Sequence, residues 1–276
     1  MGNLDEKVAV ITGGARGQGR AHAVALAAAG ADIVICDIAG PIATVPYPLS
    51  SDADLAETAE LVAEAGGRCL AIKADVRSGP EMNAVAEQAV DEFGRIDILV
   101  ANAGISSNSP VAEMDEQTWQ DMIDVNLTGV FHSFRAVVPY MIERRGGRIV
   151  ATSSIVGRMG VKGAGHYAAA KWAVLGLVKS LSLEVAEHGI TVNAVLPSGV
   201  DTDMIQNPAM WRHLMPDIEN PTREDAMKMF NSGPPNGDLI DPAEVAEAVL
   251  LLVSDHGRHF NGEAVTISGG MSASLP

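Results

Sequence analysis

The sequence predicts a single doubly wound α/β domain over residues 1–276, with a mostly parallel sheet of about seven strands and helices on both faces. Three observations lead there. Short β-branched apolar runs alternate with helical patterns along the whole chain. A glycine-rich turn joins the first such run to an alanine-rich helix. No change of composition divides the chain, and 276 residues are ordinary for one domain of this kind.

The elements follow in order. Residues 8–11 (VAVI) are short, β-branched and unbroken, as a strand buried on both faces should be. A helix is expected from Gln18 to Ala29, stopped by Gly30. Residues 33–36 form the second strand, ending at Asp37, and residues 68–74 the third, ending before Asp75. Ser78 and Glu81 have capping-box spacing and open a helix that stops near Gly94. Residues 96–100, 148–152 and 191–196 supply strands four to six. Asp241-Pro-Ala-Glu244 caps a late helix, and residues 264–267 close the sheet.

Two segments interrupt this rhythm. Residues 38–53 are an insertion rich in Pro, Ser and Ala. Residues 203–237 carry Pro208, Pro216, Pro221, Pro234 and Pro235 among Met204, Met210, Trp211, Met215, Met227, Met229 and Phe230. Long connections in a compact domain are usually functional or mobile. The second is apolar and soft, as a substrate lid would be; a peripheral helical excursion is the alternative.

Composition narrows the function. The chain has 19 Lys+Arg and 35 Asp+Glu, a net charge of −16, and a pI of about 4.7. Such a surface repels phosphate backbones and anionic bilayers, which argues against nucleic-acid and membrane partners. No apolar stretch approaches the ~20 residues that span a bilayer. The opening residues lack the pattern of a signal peptide, and Glu6 stands where a myristoylation motif carries Ser or Thr. Cys36 and Cys69 lie in apolar runs without ligand spacing, so a cytoplasmic protein with reduced thiols is expected. The seven histidines show no metal-ligand pattern, and no metal is expected.

After the first strand comes Thr12-Gly-Gly-Ala-Arg-Gly-Gln-Gly19. Unpaired N–H groups and the partial positive charge of a helix N-terminus suit a pyrophosphate, and glycines let it come close. The spacing is GxxxGxG, which resembles the TGxxxGxG turn of the short-chain dehydrogenase/reductase family. The likeness continues through Ala101-Asn-Ala-Gly104, Asn126 in Asp-Val-Asn-Leu-Thr-Gly, Ser154, and Tyr167-Ala-Ala-Ala-Lys171. Tyr167 follows Ser154 by 13 residues, the family's spacing, and the resemblance covers nearly all of the chain. It implies a Rossmann-like fold, a dinucleotide cofactor and a proton-transfer site.

By that resemblance the cofactor contacts are Gly13, Arg16, Gly17, Gln18 and Gly19 in the turn, Asp37 with Ile38, Asp75 with Val76, and Asn102, Ala103 and Gly104. A carboxylate at the end of the second strand bonds ribose hydroxyls and repels a 2′-phosphate. Asp37 holds that place, and Arg16, a basic residue of the kind NADP-users often carry there, pulls the other way. The like-charge conflict at Asp37 is the stronger argument, so NAD(H) is expected.

Tyr167 and Lys171 are i and i+4, on one helix face. A phenol of pKa ≈ 10 must come down by ~3 units, roughly 4 kcal/mol, to act as a base near neutrality. A nearby ammonium and the oxidised nicotinamide's charge could supply this. The resemblance makes Tyr167 the general acid/base, Ser154 the partner of the substrate oxygen, Lys171 the group that lowers the Tyr pKa and holds the ribose, and Asn126 the anchor of a proton-relay water. Pro197-Ser-Gly-Val-Asp-Thr202 resembles the family's PGxVxT, which grips the carboxamide; this implies that the Val200 main chain and the Thr202 hydroxyl carry that role and adds Pro197 to the cofactor contacts. The chain departs from the family at Ala101, Ser198 and Ser268. His166 adjoins Tyr167, but neighbouring helix positions point apart.

The 38–53 insertion, with Val100-Ala-Asn-Ala-Gly-Ile105, further resembles the mycofactocin-coupled, carveol dehydrogenase-like subgroup. This implies an NAD kept bound under the insertion and re-oxidised by mycofactocin. The helix after Tyr167 is apolar nearly all round, so two buried faces are expected, one on the sheet and the other on a partner subunit, with a central helix under the lid as the alternative; a homotetramer is usual in the family. The expected activity is oxidation of a secondary alcohol or reduction of a ketone, apolar and cyclic, as in terpenoids or sterols. An NAD-dependent epimerase or dehydratase and a non-catalytic NAD-binding sensor are the rivals. Glycine spacing disfavours the first, and the complete set Asn126, Ser154, Tyr167 and Lys171 the second.

Overall fold

The computed structural model describes residues 4–232 and 235–273. Pro234 of the apolar segment and the first three residues lie outside them. The strands are β1 (Val8–Thr12), β2 (Asp32–Asp37), β3 (Cys69–Lys73), β4 (Ile98–Ala101), β5 (Gly147–Thr152), β6 (Ile190–Pro197) and β7 (Ala264–Ile267). They form one sheet in the order β3-β2-β1-β4-β5-β6-β7. Every pairing is parallel, where a mostly parallel sheet was expected. The helices are α1 (Gly17–Ala28), α2 (Asp52–Glu64), α3 (Gly79–Phe93), α4 (Glu116–Ile123), α5 (Gly129–Arg144), α6 (Gly165–Val185), α7 (Pro208–Leu214), α8 (Arg223–Ser232) and α9 (Pro242–Val253).

Side chains alternate across each strand, and the two cores follow from that period of two. Val8 and Val10 pack with α3, α5 and α6, whereas Ala9 and Ile11 pack with α1, α2 and α9. A strand buried on both faces must be apolar at every position, which is why β1 reads as an unbroken run. Strand order reverses between β1 and β4, so the connections leave in opposite directions and a crevice opens beyond their C-terminal ends.

Two local expectations shift. The fourth strand begins at Ile98, two residues later than expected. Asp97 ahead of it is held by a bidentate ion pair with Arg95 and accepts the Val8 N–H. The box at Ser78 is half made. The Ser78 hydroxyl accepts the Glu81 N–H, but the Ser78 N–H already donates to the Asp75 carbonyl. The Glu81 carboxylate therefore accepts from the Asp75 N–H instead. At α9 the box is complete through Asp241 and Glu244.

His22 on α1 is fully buried, and neither ring nitrogen has a partner among the described residues. Burial lowers its pKa to about 4 from 6.5, because the charged form has no compensation there. The unfolded chain therefore takes up this proton first as pH falls, so stability is present above pH 6.5 and lost towards pH 4. The loss amounts to about 2 kcal/mol by pH 5. His22→Leu should flatten that part of the pH dependence in urea unfolding; an unchanged slope between pH 7 and 5 would refute the assignment.

Candidate active site

Beyond the C-terminal strand ends lies a cavity of about 370 Å3. Its walls include Tyr167, Ser154 and Lys171, together with Gly13, Arg16, Gly17 and Gln18. Asp37, Ile38, Asp75 and Val76 line one end; Asn102, Ala103, Gly104, Pro197, Val200 and Thr202 line the middle. Of the residues singled out from sequence, only Gly19 and Asn126 stand behind the wall.

The glycine turn owes its shape to close packing. A Cβ on Gly19 would lie 1.9 Å from the Gly13 carbonyl oxygen, and one on Gly13 (φ +65°) would lie 2.7 Å from Ala103 Cα. Asn102 bolts the turn down, its amide donating to the Thr12 and Gly13 carbonyls at 3.1 and 3.3 Å. The Thr12 hydroxyl accepts the N–H groups of Asn102 and Ala103. Thr202 reaches the turn from the other side, 3.3 Å from where a Gly17 Cβ would stand.

Asp37, at the end of β2, is buried. Its carboxylate accepts the Ala15 N–H at 3.1 Å, the Ala39 N–H at 3.2 Å and the Ser50 hydroxyl at 2.5 Å. A carboxylate has about four acceptor directions, so one remains for a ribose hydroxyl; a second binds if Ser50 turns away. Arg16 does not extend into solvent. It donates to the Pro48 carbonyl at 2.7 Å and pairs with Asp203 at 2.8 Å. It thus ties the insertion to the apolar segment and is committed away from any 2′-phosphate. Asp75 is held by the Arg77 guanidinium at 2.7 Å. The Gln18 Oε1 is buried without a partner among the described residues, and Gln18 forms part of the cavity wall. The tight glycine cradle, the buried carboxylate and this orphaned acceptor fit an NAD-type dinucleotide.

At the other end, β5 finishes at Thr152 and Ser154 caps a 3-10 turn, Ile155–Arg158. The Ser154 hydroxyl accepts the Val156 N–H at 3.2 Å and faces the Pro197 carbonyl at 3.5 Å. Lys171 is buried, donates to the Thr152 carbonyl at 2.8 Å, and lies 5.6 Å from the Tyr167 ring centre. Burial depresses its pKa to about 8. Burial raises Tyr167 above its ordinary value, opposed by a hydrogen bond from Ser154. The lowering expected from the sequence drew on the lysine and the oxidised nicotinamide's charge together. Without a cofactor's positive charge, desolvation of the phenolate outweighs the Ser154 hydrogen bond.

Asn126 is fully buried in a π-helical turn, Asp124–Thr128, between α4 and α5. Its amide donates to and accepts from the Ile105 backbone, both at 2.9 Å. It therefore fixes the segment after β4, and its Oδ1 leaves no room for a Cβ on Gly104. His166 is buried and bonds Ser107 at 2.9 Å, away from Tyr167's role in the wall.

Sequence reasoning missed Tyr47. Buried in the insertion, its hydroxyl accepts the Ser106 N–H at 3.1 Å, and it lines the cavity with Ile42, Leu49 and Ser50. Burial pushes its pKa up to about 12. The available signal was its setting between Pro46 and Pro48, which stiffens the backbone that presents it. The apolar segment contributes Met204, Ile205, Met210, Leu214 and Phe230 to the wall, with His213.

A parallel sheet with a nucleotide crevice at its switch point and a Ser, Tyr and Lys gathered beside it defines a dehydrogenase-type site. The short-chain dehydrogenase family model matches residues 7–213, and the chain belongs to that family. It is 42% identical over 275 residues to the (-)-trans-carveol dehydrogenase of Rhodococcus erythropolis, covering 98% of this chain and 99% of that one. The crystal structure of carveol dehydrogenase from Mycobacterium avium in complex with NAD superposes with a TM-score of 0.96 at 41% identity, covering 99% of this chain and 100% of that one. A short-chain dehydrogenase from Mycobacterium paratuberculosis bound to NAD gives 0.89 at 35% identity, covering 99% and 100%.

Proposed function

We propose that this enzyme is an NAD-dependent dehydrogenase of apolar, cyclic secondary alcohols that holds its cofactor tightly and passes the electrons to mycofactocin. The observation that carries the first part is the convergence of Tyr167, Ser154 and Lys171 on the cavity that also holds the glycine turn and Asp37. Bound NAD supplies the hydride acceptor. The chain's own groups handle the proton. Ser154 orients the substrate oxygen, and Tyr167 takes its proton once a positive charge nearby stabilises the phenolate. Lys171 contributes part of that charge and holds a ribose hydroxyl. Asn126 fixes the segment after β4 and anchors a water for proton relay. The Met- and Phe-bearing wall favours an apolar substrate, and the carveol dehydrogenase relatives point the same way.

Retention of the cofactor is supported by the insertion. It is pinned at Tyr47 to Ser106, at Ser50 to Asp37 and, through Arg16, to Asp203. Leaving requires several of these bonds to open together. Assembly as a homotetramer in the cytoplasm completes the proposal. Trp172 and Leu183 leave apolar area on the outer side of α6, at 51% and 81% exposure, and Phe131 does so on α5.

The test is a panel of cyclic secondary alcohols assayed with an artificial dye acceptor, alongside mass spectrometry of the purified protein. The expected result is dye reduction without added NAD, and about one NAD per chain released on denaturation only. Rapid turnover with free NAD as sole acceptor would overturn the retained-cofactor part. Arg16→Ala should speed NAD release about tenfold in stopped-flow, since two hydrogen bonds are lost at about 0.5–1.5 kcal/mol each, discounted for the partly exposed pair. An unchanged release rate would show that the Arg16 ties do not hold the cofactor in place.

A further inference from the structure

A second cavity, of about 400 Å3, opens at the opposite end of the sheet among the N-terminal ends of the strands. Five cationic side chains line it: Lys7 ahead of β1, Arg95 ahead of β4, and Arg144, Arg145 and Arg148 around the α5–β5 turn. Two carboxylates, Asp97 and Asp255, share the wall. In a chain with 19 Lys+Arg against 35 Asp+Glu, this local excess of positive charge opposes the charge of the whole molecule.

The internal partners do not satisfy it. Asp97 is taken up by the bidentate pair with Arg95. Arg145 donates to the Glu187 carbonyl at 3.0 Å, and Arg148 Nη1 to the Gly147 and Gly189 carbonyls at 3.0 and 3.4 Å. Arg148 Nε is buried with no acceptor among the described residues. Lys7 and Arg144 have no side-chain partner among the described residues. Burial holds the Arg148 guanidinium below its ordinary range, only partly offset by Asp255. Like charges gathered around a polar cleft repel one another, and a buried donor without an acceptor is costly. An anion relieves both, and guanidinium forks match phosphate oxygens in bidentate geometry. Cations drawn from three separate segments surround more room than one phosphate fills.

We propose that this cleft binds a soluble diphosphate-bearing ligand through Arg144, Arg148 and Lys7. The nucleotide crevice lies at the other end of the strands, so the two sites are separate and the proposal stands apart from the dehydrogenase reading.

Inorganic pyrophosphate is the probe, titrated calorimetrically at fixed ionic strength into the full chain saturated with NAD, so that the glycine turn is already filled. One binding event per chain is expected. Arg144→Glu, at an exposed helix end, should weaken it at least tenfold, and Arg148→Gln likewise. Arg223→Glu on the exposed α8 changes the net charge as much as Arg144→Glu does, and should leave affinity within twofold. Absence of binding to the NAD-saturated chain would overturn the proposal. So would an affinity that Arg144→Glu leaves intact, or one that Arg223→Glu weakens equally.

Discussion

Tyr167→Phe is expected to lower kcat/KM for alcohol oxidation about a thousandfold, within the 10²–10⁴ range of general acid–base catalysis, while NAD affinity stays within threefold. The substitution removes one oxygen and keeps the ring that packs into the first core. Two opposing effects set the phenol's acidity. Burial raises Tyr167, which stays a neutral phenol before a cofactor arrives, and lowers Lys171 to about 8, which still leaves it mostly an ammonium at neutral pH. A cationic ring beside them reverses the balance for the phenol. The wild-type rate should therefore rise with pH along a limb that Tyr167→Phe flattens. Lys171→Met should move that limb to higher pH, because the remaining ammonium charge is gone. Tyr167→Phe retaining more than a tenth of the activity would sink the assignment.

Gly19→Ala should abolish measurable NAD binding and cost about 1–3 kcal/mol of stability. The added methyl would stand 1.9 Å from the Gly13 oxygen and 2.9 Å from the Asn102 amide nitrogen. Backbone on one side and a bolted side chain on the other leave nothing free to yield. The turn must open, and the N–H groups that face the crevice are re-aimed. Gly160→Ala is the contrast, because nothing lies within 4 Å of its added carbon. It should bind NAD as the wild type does. Equal behaviour of the two variants in calorimetry would show that the crowding at Gly19 is irrelevant to the turn.

What could be read from the sequence was whatever acts over a few residues. β1 and β2 betray themselves because burial on two faces demands apolar residues at consecutive positions. Gly30, with φ of 104°, ends α1 as expected because few other residues take that conformation. Tyr167 and Lys171 were legible because a helix places i and i+4 together. What escaped depends on residues far apart. Tyr47 meets Ser106, and Thr44 meets Asp121, across stretches of chain that no local pattern links. Asn126 carries no local mark of the π-helical turn that buries it. Arg16 was weighed as a phosphate ligand because its partners, Pro48 and Asp203, come from the two segments whose paths a sequence leaves open.

The ties at Arg16 bear on how catalysis must be ordered. One guanidinium joins the 38–53 insertion to the apolar segment, so opening either for exchange would disturb both at once. On the retained-cofactor proposal, the nucleotide is expected to behave as a prosthetic group, reduced and re-oxidised in place. Steady-state plots for alcohol against acceptor should be parallel lines, the mark of a double-displacement cycle in which the ketone departs before the second reactant docks.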